Sequence, residues 1–310
     1  MHTVYRSADG QLEVLAAPLR NSWVNVVNPT PEEVTQLNHT LNIPADFLSA
    51  ALDVDERART DHEERATLIL LRIPYHRKDE TALPFTTLPL GIILTEALIV
   101  TVCRVEHELL RAFQDGKVAG FSTAKHNRFV LQLLLYTARR YLHDLRTINR
   151  EVDILEDKLQ RSMRNEELLG LLQYQKSLVY FTTSLKSNEL MMEKLRRSQL
   201  FETYPDDADL LDDVLTENRQ AIEMVRIAND ILSQMMDAFA SIISNNLNVV
   251  MKFLTSVTII LTLPTLVASF YGMNVDLPLQ NSPHAFTLTL VISFVLSSVV
   301  VLLFLRKDWF

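Results

Sequence analysis

The sequence predicts a soluble α/β region, then long helices, then a C-terminal hairpin of two membrane-spanning helices. Three observations carry that reading. Two uncharged runs, Phe253 to Tyr271 and Ala285 to Leu305, stand near the end of the chain. Each is long enough for a helix to cross a hydrocarbon core of roughly 30 Å. Prolines are absent from Leu90 to Tyr204 and glycines from Leu171 to Tyr271, so the middle of the chain lacks helix breakers. Before residue 120 the pattern is different: short Val-, Ile- and Leu-rich runs are punctuated by proline.

Taken in order, Trp23 to Val27, Thr67 to Ile73 and Gly91 to Val105 read as strands. Pro31 with Glu32 and Glu33 opens a short helix that ends near Asn42, before Pro44. Ala45 to Leu52 is a second helix, and Pro74, Pro84 and Pro89 mark breaks in the strand region. Glu106 to Gln114 is helical and is ended by Gly116 and Gly120. Three long helices follow, over about Ser122 to Met163, Asn165 to Leu200 and Asp206 to Tyr271. Pro205 suits the first turn of the third, with acids just after it. At 1.5 Å per residue that helix is roughly 100 Å long, too long for a globular domain, so it runs on into the first span.

The expected division is an α/β domain over 1–120, antiparallel long helices over 121–204, and a stalk continuous with the first span over 205–274. An outer loop over 275–284, a second span over 285–305 and a tail over 306–310 complete it. Along the stalk, Leu211, Val214, Asn218, Ile222, Val225, Asn229, Leu232, Met236, Phe239, Ile243, Asn246 and Val250 keep a three-four spacing. That is a coiled-coil-like seam whose asparagines fix register at some loss of stability. One such helix encloses nothing. Several parallel copies make a funnel-shaped homo-oligomer with the seam as its wall.

Lys252 precedes the first span, Arg306 and Lys307 follow the second, and Val275 to His284 holds no Lys or Arg. The positive-inside rule puts both termini in the cytosol. Cys103 is the only cysteine, so no intrachain disulfide forms, and its expected role is buried packing. The start, MHTVYRSADGQ, has no signal-peptide core. A net charge of −8 gives no footing for nucleic acid. His107 and Glu108 begin a zinc-protease motif that Arg111 breaks. With no phosphate loop and no nucleophile elbow, the chain does not read as an enzyme.

Asn248, Thr255, Thr258, Thr262, Thr265, Ser269 and Gly272 share one face of the first span. Such a stripe serves helix–helix packing or lines a water-filled path. It ends on Tyr271-Gly272-Met273-Asn274. A Gly-Met-Asn triplet closing the first of two C-terminal spans resembles the signature of the CorA family of divalent metal ion transporters. The resemblance is sharpest over Asn245 to Phe310 and extends by length and layout over the whole chain. It implies a homopentamer in the cell (inner) membrane, in contact with lipid. The pentamer passes hydrated Mg²⁺, and Co²⁺ or Ni²⁺ as well, with no organic cofactor.

The resemblance assigns Tyr271, Gly272, Met273 and Asn274 to an outer filter. Asn248, Leu254, Thr255, Thr258, Thr262, Thr265 and Ser269 would line the pore, with Leu254 as an apolar constriction. It also implies a cytosolic Mg²⁺ sensor, matched here by Asp213 with Asp209 and Asp212 on the stalk, and by Glu64 and Asp61 on the α/β domain. Arg65 falls where the pattern expects an acid, and the outer loop lacks the family's Met-Pro-Glu-Leu segment. The alternatives are a zinc transporter of the same superfamily and a membrane-anchored coiled-coil scaffold that transports nothing. The stripe argues against the scaffold, since an anchor has no use for aligned polar positions.

Overall fold

The computed structural model describes residues 2–8, 11–63, 65–77, 83–162, 165–198, 205–275, 277–278 and 283–307. The elements are β1 (His2–Ala8), β2 (Gln11–Leu15), β3 (Ser22–Val27), α1 (Pro31–Leu41), α2 (Ala45–Leu52), β4 (Arg59–Glu63), β5 (Ala66–His76), β6 (Phe85–Thr95) and β7 (Leu98–Cys103). Then come α3 (Glu108–Gln114), α4 (His126–Ser162), α5 (Asn165–Arg197), α6 (Pro205–Tyr271) and α7 (Ala285–Arg306). The described residues fall into two compact units, divided within α6 after Ser233.

The first unit is built on a seven-stranded sheet of order β2-β1-β3-β7-β6-β5-β4, in which β3 and β7 pair in parallel and every other pair is antiparallel. Helices cover both faces, which is why its inner strands read as unbroken apolar runs. On one face Val24, Val26, Leu68 and Val100 meet Leu37, Phe47 and Leu48 of α1 and α2. Gly91 makes that approach possible, because a Cβ there would collide with Cβ of Ala51. On the other face Trp23, Ile69, Leu90 and Ile92 meet Phe113, Phe129, Met191 and Val214. Trp23 Nε1 donates to Thr101 Oγ1 at 2.8 Å, and that hydroxyl donates to Asn25 Oδ1 at 2.9 Å, so the buried indole N–H and the threonine hydroxyl each find a partner within the sheet.

The helices lie where expected, but the strands differ in three ways. The run Gly91 to Val105 is two strands, because Thr95 Oγ1 accepts from the amides of Ala97 and Leu98 and closes a tight turn between them. β1 and β2, which hold Val4, Tyr5, Leu12, Val14 and Leu15, are not among the expected strands, and neither is β4, whose residues are all polar and carry no apolar alternation. Pro74 and Pro89 do not break strands; they lie inside β5 and β6. Arg72 pairs with Pro89, and its own N–H and C=O both point away from β6, toward the side chain of Asn188. Arg72 and Pro89 are therefore a non-hydrogen-bonded pair, and Pro74 with Thr87, two residues on, is another. Each proline thus turns its missing donor away from its partner, past the end of β4 in one case and of β7 in the other.

Within the first unit α6 packs on its own chain. Leu211, Val214, Asn218, Val225 and Leu232 of the expected seam are buried. Asn218 Nδ2 donates to Leu185 O at 3.3 Å, and Asn229 Nδ2 donates to Thr182 Oγ1 at 3.2 Å. Arg219 pairs with Glu189 and Glu193, and Arg139 with Glu217, each at 3.3 Å. The seam as far as Leu232 is therefore the face α6 shows to its own domain. It is not available to wall a funnel between copies, because a residue buried in its own chain cannot also face a common axis.

Candidate functional site

The second unit holds the rest of α6, the turn after it and α7. Both helices contain stretches long and apolar enough to cross a membrane. They run antiparallel and touch where Ser297 Oγ reaches Ile260 O at 3.5 Å. Farther out, Pro264, Ala268, Tyr271 and Gly272 face Ala285, Phe286, Thr289, Leu290 and Ser293 across a groove of about 510 Å³. Ser256, at 0% exposed, and Val267, at 8%, are the most covered positions of the uncharged run of α6.

Those contacts fix which way the stripe points. At about 100° per residue, Ser256, Ile260, Pro264, Val267 and Tyr271 cluster on one side of α6. Thr255, Thr258, Thr262, Thr265 and Ser269 cluster roughly 180° away. All five of these are exposed, as are Asn248 and Leu254, the latter at 58%. The stripe is thus not the surface on which α6 meets α7. Of the two uses open to it, packing within the hairpin is excluded.

The hydroxyls along it are oriented. Thr258 Oγ1 donates to Leu254 O at 2.8 Å, Thr262 Oγ1 to Thr258 O at 2.7 Å and Thr265 Oγ1 to Leu261 O at 3.1 Å. Each hydroxyl proton is committed to the helix's own backbone four residues earlier. The lone pairs remain, so the stripe presents acceptors outward. Ser256, on the α7 side, makes the same bond to Lys252 O.

α6 ends in a turn. The Gly272 amide donates to Ala268 O at 2.9 Å, and the Met273 amide to Phe270 O at 3.1 Å. A Cβ at Gly272 would stand 3.3 Å from Ala268 O, so a side chain there would press on the last helical carbonyls. Tyr271 Oη donates to Pro278 O at 3.3 Å, tying the returning chain to the helix end. Gly272, Met273 and Asn274 are all exposed beyond it. The turn gathers Tyr271, Gly272, Met273 and Asn274 at one end of the stripe, while Leu254 and Asn248 stand at the other.

The acids expected to sense cytosolic Mg²⁺ lie in the first unit. Asp209, Asp212 and Asp213 are exposed on α6, on the side away from its buried seam. Asp61, on β4, already accepts from Arg59 Nη1 at 2.8 Å and from the His62 amide at 3.0 Å. Glu64 lies outside the described residues. Among the described residues no three His, Cys, Asp or Glu side chains come together as a metal site. His107 is no ligand either: its Nδ1 accepts from the Leu109 amide as the N-cap of α3, and Nε2 donates to Pro74 O. Burial pushes its pKa down, which keeps it neutral. Sequence reasoning missed Ser297, whose partner is set by the hairpin's register and by no local motif.

The chain is 30% identical over 307 residues to the cobalt/magnesium transport protein CorA of Methanocaldococcus jannaschii, covering 96% of this chain and 94% of that one. It is 23% identical over 308 residues to the cobalt/magnesium transport protein CorA of Thermotoga maritima, covering 94% and 85%. Its fold matches the complete structure of the CorA magnesium transporter from Methanocaldococcus jannaschii with a TM-score of 0.86 at 27% identity, covering 100% of this chain and 99% of that one. The description CorA-like Mg²⁺ transporter protein matches residues 20–307, and the chain belongs to that family.

Proposed function

We propose that this chain is one subunit of a homopentameric channel through which hydrated Mg²⁺, and Co²⁺ with it, crosses the membrane along the threonine stripe of α6. Members of the family are divalent cation transporters, not enzymes. The observation that carries the pore reading is the orientation of the Thr258, Thr262 and Thr265 hydroxyls. They face away from α7 and have their protons committed to backbone carbonyls. Mg²⁺ holds its water shell tightly, and those waters turn their hydrogens outward. A wall of acceptors receives them, while an anion, which needs donors, finds none.

In this reading Asn274 side-chain oxygens and the Gly272 carbonyl form the outer ring. Neutral oxygens suit conduction because a ring of carboxylates would hold the ion too tightly to release it. Tyr271 and Met273 brace the turn. Thr255, Ser269 and Asn248 extend the path, and exposed Leu254 makes the constriction that closes by dewetting. Asp213, with Asp209 and Asp212, meets cytosolic Mg²⁺ between subunits. Asp61 is already engaged by Arg59, and Arg65 adds positive charge nearby, so this sensor is weaker than one built from acids on both sides. The test is flux into liposomes containing the purified chain, ion by ion. Mg²⁺ entry that Co²⁺ competes for is the expected result. Zn²⁺ entry without Mg²⁺ entry would favour the zinc reading, and no entry of any divalent ion would favour the scaffold.

A further inference from the structure

Pro264 lies inside α6, within the uncharged run. It has no N–H, so the carbonyl of Ile260, four residues earlier, loses its helical partner. In a hydrocarbon environment no water replaces that partner, and something in the protein must do so. Six hydroxyls of the hairpin follow one habit. Ser256, Thr258, Thr262, Thr265, Thr289 and Ser293 each donate to the carbonyl four residues back in their own helix. Ser297 does not: its hydroxyl crosses to α6, and the oxygen it reaches at 3.5 Å is that of Ile260.

We propose that Ser297 is a positioning residue for transport, donating to the carbonyl that Pro264 orphans and thereby fixing the rotation of the pore-facing half of α6. Thr262 and Thr265 flank Pro264, so the proline stands where the stripe's direction is most easily lost. A bond at Ile260 O, on the α7 side, holds the opposite side outward. α7 thus serves as a brace for the pore helix as well as a lipid-facing span. This inference rests on the reading of the threonine stripe as the ion path.

The test is a double-mutant cycle on the full chain in liposomes, with Ser297→Ala and Pro264→Ala singly and together, and Ser297→Thr as the conservative variant. Thermal stability of the same proteins in detergent is read beside Mg²⁺ flux. Ser297→Ala is expected to lower flux about fivefold in the native background and less than about twofold with Pro264→Ala, where residue 264 supplies its own N–H. Stability should show the same non-additivity, and Ser297→Thr should restore both. Equal effects of Ser297→Ala in both backgrounds would overturn the proposal, as would an additive stability cycle. Coupling seen in stability while Ser297→Ala leaves flux unchanged would overturn the positioning role. If Thr258→Val and Thr262→Val then also left flux unchanged, the pore reading itself would have failed and not only the brace.

Discussion

α6 passes through two regimes, and its polar residues fare differently in each. Up to Leu232 the three-four seam is turned into its own domain, where Asn218 and Asn229 find partners on α5. From Ser241 to Thr255 every residue is exposed, and the stripe beyond stays open. The same spacing therefore has two outcomes. A polar residue facing its own chain is used up in setting register. One left outward, with its proton already committed to backbone, keeps its acceptor facing out from its own chain. Periodicity finds the face, but only the neighbours tell which use it has.

The sharpest way to break that contrast is at the open end. Asn274→Ala should abolish Mg²⁺ uptake while leaving assembly intact, as read by flux and by native gels of the same sample. Full uptake in an assembled variant would remove Asn274 from the filter. Thr262→Val, which keeps shape but deletes the acceptor, should lower flux by about tenfold, and Thr262→Ser should largely preserve it. Leu254→Gly should raise basal conductance severalfold in single-channel or bilayer recordings, since a smaller, less apolar ring wets more easily.

Two smaller effects probe the closed half. Asp213→Ala should move the Mg²⁺ dependence of protease protection by about twofold to threefold, because a ligand shifts an equilibrium only by its differential affinity for the two states. An unmoved curve would leave the acidic run a solvated face. Asn218→Leu should raise the thermal midpoint by about 2–4 °C with little change in flux. Its Oδ1 is buried without a partner, and the Leu185 carbonyl it touches lies mid-helix, where a backbone N–H already bonds it. A large loss of flux there would mean that the buried seam does more than set register.

The layout was legible because its signals are local and long. Two uncharged runs fixed the hairpin, and the missing prolines and glycines fixed α4, α5 and α6 to within a few residues. Gly-Met-Asn after Tyr271 pointed to the family, which the comparisons then bore out. β4 was not legible, because an exposed edge strand of polar residues carries no apolar alternation. Pro74 and Pro89 read as breaks, because a sequence does not say which strand positions need a donor.

By itself the sequence determined where the chain is helical, which stretches can cross a membrane and that one face of the first span is polar. These follow from backbone propensity and side-chain periodicity, which act over a few residues. The tertiary structure decided three things that distant residues set. It turned the seam inward onto α5, left the threonine stripe opposite α7, and brought Ser297 to the carbonyl that Pro264 had freed. Each depends on which surface a helix finds to pack against, and a polar face has no fixed meaning until that surface is present.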